Sequence, residues 1–351
     1  MKRNKFLTII LVIAICSGVL CSGIIIASGI QKGSSASART GSHEREKYPN
    51  PHILEKTRLD SFSQASIHLD QANVSILPAD DFYLEYRLDG TCQEPDYEVS
   101  GQTFYFQEGS TQHPYTISFH LFGNPVNQEP FYLNLYVPAD QYFELLTMDV
   151  ESGNVKLKQI NAREADLTLA YGDLDLDTFT GTTLNLTSES GNIRSETITC
   201  EDLTVSAAYG NFTGDTVSVS GNSNFDLESG DLKISSLTTG DFKADSTYGN
   251  CSLEHITTKA LSCSLDSGNL TLKNAVLEHG EINAEYGDVT IELADQASDY
   301  SYDLKAEYGT VTIDEKNIRE DEDGTVVYLS KDGKKEKSIQ IWCSSGNVDI
   351  R

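Results

Sequence analysis

Across 351 residues, acidic side chains outnumber basic ones 53 to 26, giving a formal charge of −27, with lysine and arginine concentrated toward the two ends. So acidic a chain presents no basic patch to a nucleic acid, which excludes that class of partner. Its length suits one large elongated domain, or a cap joined to a repeat array.

Residues 1–5 form a basic tail with Lys2, Arg3 and Lys5, and residues 6–30 are apolar without a single charge. A run of that length can span a bilayer. The flanking positive charge predicts a transmembrane signal-anchor with a cytoplasmic tail, placing everything downstream outside the cell membrane as a single-pass, extracytoplasmic domain. A cleaved signal peptide is the competing reading, since Ala36-Ser37-Ala38 and Ala27-Ser28-Gly29 are both small-residue cleavage patterns. Residues 31–50 are small and polar and read as a flexible linker.

From 51 to 148 apolar and polar residues alternate without a strict period, as in Ser66-Ile67-His68-Leu69 and Tyr132-Leu133-Asn134-Leu135. This segment reads as a β-rich amino-terminal cap with the first coils, because the open end of a repeat array must be covered. Asp70-Gln71-Ala72-Asn73-Val74 echoes the motif that follows, with alanine in place of glycine.

That motif organises residues 149–314. Gly153, Gly172, Gly191, Gly210, Gly230, Gly249, Gly268 and Gly287 recur at steps of 19 residues, once 20, each after Ser or Tyr and before Asn or Asp; Gly309 and Gly346 head degenerate copies. Apolar residues fall two, four and seven positions after most of these glycines, as at Leu174, Leu176 and Phe179. Spacing by twos is the side-chain period of a strand. The fold class expected is therefore all-β: a single-stranded β-solenoid of about 19 residues per coil, each coil made of two short strands and a third extended piece. It should be right-handed, as parallel crossovers overwhelmingly are. Ten stacked coils would extend about 45 Å. The glycines are expected to be structural turn residues. Residues 315–351 add a charged insertion, read as a hairpin turning at Asp323-Gly324, and a carboxy-terminal coil.

Two surface columns stand out. Tyr171, Tyr209, Tyr248 and Tyr286 precede the glycine on every other coil, at a spacing of about 9.6 Å. They form either a ligand-facing ladder, able to stack on sugar rings or a partner's strands, or a packing alternation of bulky and small corner residues. Two positions before the glycine stand Glu151, Glu189, Glu228, Asp266, Glu285 and Glu307. Calcium favours such oxygen ligands, yet the nonapeptide pattern of calcium-binding β-rolls is missing, so a solvated acidic face is the better reading. Of the seven cysteines, the five outside the apolar run, Cys92, Cys200, Cys251, Cys263 and Cys343, match no zinc or disulfide framework, and Cys251 and Cys263 fall on inward positions. The seven histidines are scattered, and no nucleophile elbow, metal cluster or phosphate loop is present. No catalytic residue, cofactor or metal is assigned, and the chain is not expected to be an enzyme.

The basic start, one span, an irregular β cap and repeated Ser-Gly-Asn/Asp units ending in Ser345-Gly346-Asn347-Val348-Asp349-Ile350 resemble the bacterial candidate-adhesin β-strand-repeat family, envelope-associated domains of unknown function. The resemblance covers roughly residues 60–351 and implies a β-helix at the cell envelope, some members lying beside envelope-stress systems. It carries no catalytic residues over. The expected function is a non-catalytic, membrane-anchored adhesin or envelope interaction and stress-accessory module, with a cell-surface glycan or envelope protein as partner. The alternative is a glycan-binding or polysaccharide-degrading β-helix.

Overall fold

The computed structural model describes residues 50–109, 130–318, 325–330 and 335–351. The tail, the anchor at 6–30, most of the linker and the Asp323-Gly324 turn lie outside them. Among the described residues no helix is long and apolar enough to cross a membrane.

The repeat folds as parallel coils in hydrogen-bonded register. Val155 pairs with Leu174, Leu174 with Ile193, Ile193 with Phe212 and Phe212 with Leu232. Each pairing joins one coil to the next at the offset of the glycine motif. The two-short-strand picture is too coarse, because Val155–Tyr171, Leu174–Ser190, Leu232–Tyr248 and Leu270–Tyr286 are each continuous over 17 residues. In these four coils pairing carries on around the intermediate bends to the glycine corner; in two others the strand also breaks, at Glu201 and at Glu254–His255.

Residues at the inward offsets form one core. Leu174, Leu176, Phe179, Leu184 and Leu186 are all buried, and the same columns continue coil by coil. Large and small residues alternate within it: Phe225 and Phe242, 5.7 Å apart between ring centres, sit beside the buried Ser223 and Ala244. Cys200, Cys251, Cys263 and Cys343 are buried free thiols. Burial pushes the Cys200 thiol up to about 12, so it packs as a small apolar group.

The glycine corner is held by a ladder of side chains. Asn73, Asn154, Asp173, Asn192, Asn211, Asp231, Asn250, Asn269, Asp288 and Asn347 each accept, through Oδ1, the backbone N–H of the equivalent residue on the next coil at 2.8–3.2 Å. The amide donors of Asn192, Asn211, Asn250, Asn269 and Asn347 also bond the preceding Oδ1. Every aspartate stands between two asparagines, so no two carboxylates face each other across one inter-strand spacing of about 4.8 Å. Asn192→Asp would set one against Asp173. We expect a loss of about 1 kcal/mol at neutral pH and low salt, shrinking in high salt and on acidification, read by urea unfolding.

Both ends depart from chain order. The carboxy-terminal strand Lys337–Ser345 does not follow the coil that ends at Tyr308. It lies between that coil and the preceding one, pairing Ile282 with Ile341 on one side and Leu304 with Ile341 on the other. Val348–Ile350 likewise separates Val289–Leu293 from Val311–Ile313. The order of corner glycines along the stack is thus Gly287, Gly346, Gly309. At the other end Gln64–Gln71 lies between Thr103–Gln107 and Leu145–Ser152. Ala72 and Asn73 form a true first rung, with Gly153 seated on the Ala72 carbonyl.

The outermost rungs end in antiparallel strands. His52–Arg58 covers Tyr83–Leu88, and Asp96–Ser100 covers Thr103–Gln107. At the carboxy-terminal end, among the described residues of the insertion, Lys316–Ile318 folds back on Val311–Ile313, and Val326–Leu329 on Tyr300–Tyr308. Such reversals remove the parallel template that would recruit another coil.

In the amino-terminal cap Glu108 Oε2 accepts the N–H groups of Asp70 and Gln71 at 2.7 and 3.0 Å, while Oε1 is buried without a partner among the described residues. Burial raises this carboxyl above its ordinary value. A carboxyl raised in the folded state is more stably protonated there. Its contribution is therefore fully present below the ordinary carboxylate range and lost as pH rises through the raised value. Glu108→Gln keeps an acceptor and removes the charge, so it should stabilise the chain by about 1 kcal/mol at neutral pH and gain nothing in acid, read as melting temperature against pH.

Candidate functional site

The residue before each corner glycine points outward, and strand order decides what it meets. Ser152 pairs with Tyr171, Tyr171 with Ser190, Ser190 with Tyr209, Tyr209 with Ser229, Ser229 with Tyr248, Tyr248 with Ser267 and Ser267 with Tyr286. The interleaved strand then places Ser345 beside both Tyr286 and Tyr308. Tyr308 therefore joins Tyr171, Tyr209, Tyr248 and Tyr286 as a fifth member, and strict serine–tyrosine alternation runs from Ser152 to Tyr308. The motif spacing alone conceals this, because Tyr286 and Tyr308 are successive in the chain.

The five rings keep 58–75% of their surface exposed. A tyrosine packed along the corner would lose most of that surface. Two rings on adjacent coils would lie about 4.8 Å apart; on alternate coils they stand about 9.6 Å apart, with a serine between. The corner is a row of open slots.

The acidic column lies beside the slots. Glu189, Glu228 and Asp266 belong to the serine coils, each one residue before the serine that lies between two tyrosines; Glu285 shares the coil of Tyr286. With Glu151 these side chains are exposed, and none carries a hydrogen bond or ion pair among the described residues. Glu307 differs, its Oε1 accepting from Lys305 Nζ at 2.7 Å. Among the described residues no three His, Cys, Asp or Glu side chains converge tightly enough to hold a metal ion. The column's members lie on alternate coils over Glu151, Glu189, Glu228 and Asp266, too far apart to share a calcium whose oxygen ligands must sit at about 2.3–2.6 Å.

Elsewhere, the bond between His279 Nδ1 and Ser338 Oγ, 3.1 Å long, borders a groove of about 450 Å³ near Phe242 and Gly280. No carboxylate orients the other ring nitrogen among the described contacts, so the pair lacks the third member that makes a hydroxyl a nucleophile. His68 is held between Asp149 and Asp70 at 3.1 and 3.6 Å.

The family model of Toastrack DUF4097 matches this chain twice, over residues 62–199 and 184–351. The chain belongs to the Toastrack DUF4097 family. The overlapping matches take in the cap, the corner ladder and the interleaved end, and the family is one of domains of unknown function. No curated protein sequence matches this Toastrack chain. Among solved structures, it is similar to a candidate lipid-binding protein of Parabacteroides distasonis, at 18% identity over 68% of this chain and 93% of that one, with a TM-score of 0.45. It is also similar to a candidate adhesin of the same organism, at 11% identity over 86% and 97% with a TM-score of 0.42. A candidate adhesin of Bacteroides fragilis matches at 11% identity over 86% and 99%, with a TM-score of 0.40.

Proposed function

We propose that this Toastrack protein is a non-catalytic, membrane-anchored and extracytoplasmic right-handed solenoid of about 19 residues per coil. It serves as an adhesin-like interaction module of the cell envelope, with the tyrosine ladder as its ligand face. The observation that carries the reading is the five-member ladder itself. Its rings are exposed, evenly pitched and kept in alternation by the interleaved strand, which corner packing does not require. The charged run at 1–5 and the apolar run at 6–30 support the anchor.

A second reading, retention of a neutral glycan, is favoured by the same rings, whose flat faces suit sugar stacking. The two share one test. Tyr209→Ser with Tyr248→Ser should reduce retention of the full-length protein on envelope material at least tenfold. Unfolding free energy should move by no more than about 0.5 kcal/mol, as for ordinary exposed substitutions. Unchanged retention by the folded double variant would remove the ladder from the binding face.

A further inference from the structure

We propose that the ladder takes a cationic polyproline-II peptide segment carrying Arg or Lys at every third residue, one cation per slot. This rests on the reading of the tyrosine corner as the ligand face and names the chemistry of its occupant.

Three of the four slots repeat the same parts; the fourth, between Tyr286 and Tyr308, has Ser344 before its Ser345 in place of an acidic residue. Between Tyr171 and Tyr209 the floor is Ser190, between Tyr209 and Tyr248 it is Ser229, and between Tyr248 and Tyr286 it is Ser267; Glu189, Glu228 and Asp266, all exposed, immediately precede these serines in the chain. A group centred in a slot lies about 4.8 Å from the coils on both sides. That is inside the roughly 6 Å over which a guanidinium or ammonium is attracted to an aromatic face. The carboxylate alongside has no competing partner among the described residues. Neutral sugars would stack on the rings and donate hydroxyls to the carboxylates but leave their charge uncompensated, and an anionic ligand would be repelled by them. A cation uses both.

The protein already holds one of its own cations this way. Lys305 Nζ lies 5.1 Å from the centre of the exposed Trp342 ring and 2.7 Å from Glu307 Oε1, on the coils that carry Tyr308 and Ser345. Near the other end Lys56 Nζ lies 4.6 and 3.9 Å from the Tyr83 and Tyr136 rings.

Pitch selects the backbone of the occupant. Slots recur at about 9.6 Å. A polyproline-II helix has three residues per turn and rises about 3.1 Å per residue, so every third side chain shares one face at about 9.3 Å. A β-strand puts every third residue on the opposite face and fails the match. Aromatic-lined surfaces are also the usual dock for this helix, whose conformation is largely set before binding.

The test measures binding of the full-length protein to a synthetic peptide of five Arg-Pro-Pro repeats. Controls are five Arg-Pro-Pro-Pro repeats, with equal charge but the wrong pitch, and a neutral β-linked oligosaccharide. The expected result is salt-sensitive binding of the first peptide, about tenfold or more tighter than the second, lost in Tyr209→Ser/Tyr248→Ser and weakened in Glu189→Gln/Glu228→Gln. Equal affinity for the two peptides would reduce the effect to net charge and overturn the proposal. So would tyrosine-dependent binding of the oligosaccharide with no peptide binding, an outcome that leaves the interaction module standing. Peptide binding untouched by the tyrosine substitutions would overturn both readings.

Discussion

Replacing one corner glycine with alanine should unfold part of the stack. At Gly210 an added Cβ would lie 1.9 Å from the Gly191 carbonyl oxygen and 2.6 Å from its carbon, at a φ of 146°. The obstacle is the backbone of the neighbouring coil, itself fixed by the Asn192 and Asn211 bonds. It has no flexible end that could swing away. Left-handed strain and overpacking together should cost about 3–5 kcal/mol, among the largest effects of any single substitution here. Gly101 is the control, with a φ of 65° but nothing within 4 Å of its added Cβ. Gly101→Ala should therefore show only the conformational cost, about 1–2 kcal/mol. Urea unfolding of the two variants separates the contributions; equal losses would mean that contact with the next coil does not matter.

The second large effect is expected from a chain that stops at Glu336. Removing 337–351 deletes Ile339, Ile341, Cys343, Val348 and Ile350, all buried. Each apolar side chain is worth about 1.5–3 kcal/mol of burial. The loss falls between two coils, so Leu270–Tyr286 and Tyr300–Tyr308 are left facing a missing strand. In a stack whose units contact only neighbours, damage stays local. Amide exchange should rise over 300–313, while coils near Leu174–Ser190 keep their protection. The opened edges should also drive self-association visible in size-exclusion chromatography. Unchanged protection at 300–313 would show that the interleaved strand is not what holds the end.

Much of this fold is legible in the residues. The glycine step predicts coil stacking because the corner admits no Cβ, and the apolar offsets identify the core because pairing repeats in register. Strand order at the ends is harder to read, since a step of 22 or 37 residues measures chain length and says nothing about which coil lies beside which. One signal does carry it. In chain order Tyr286 would face Tyr308 directly, breaking an alternation kept from Ser152 onward, and inserting Ser345 restores it. The asparagine ladder agrees, because Asn347 bonds Asp288 on one side and Thr310 on the other. The candidate site was legible as four tyrosines; the fifth depends on that interleaving. Glu108 was not legible, since only the fold brings it to the amides of Asp70 and Gln71.

The interleaved end also bears on how the chain can be made. Coils from Val155 to Tyr286 can settle one after another as they emerge, each on a neighbour already in place. The two that follow cannot. Residues 337–350 are synthesised after both of the coils they separate, so 300–313 has no permanent seat until they arrive. Closure of that end must wait until residues 337–350 have emerged, and until then the nascent protein presents a gap one strand wide.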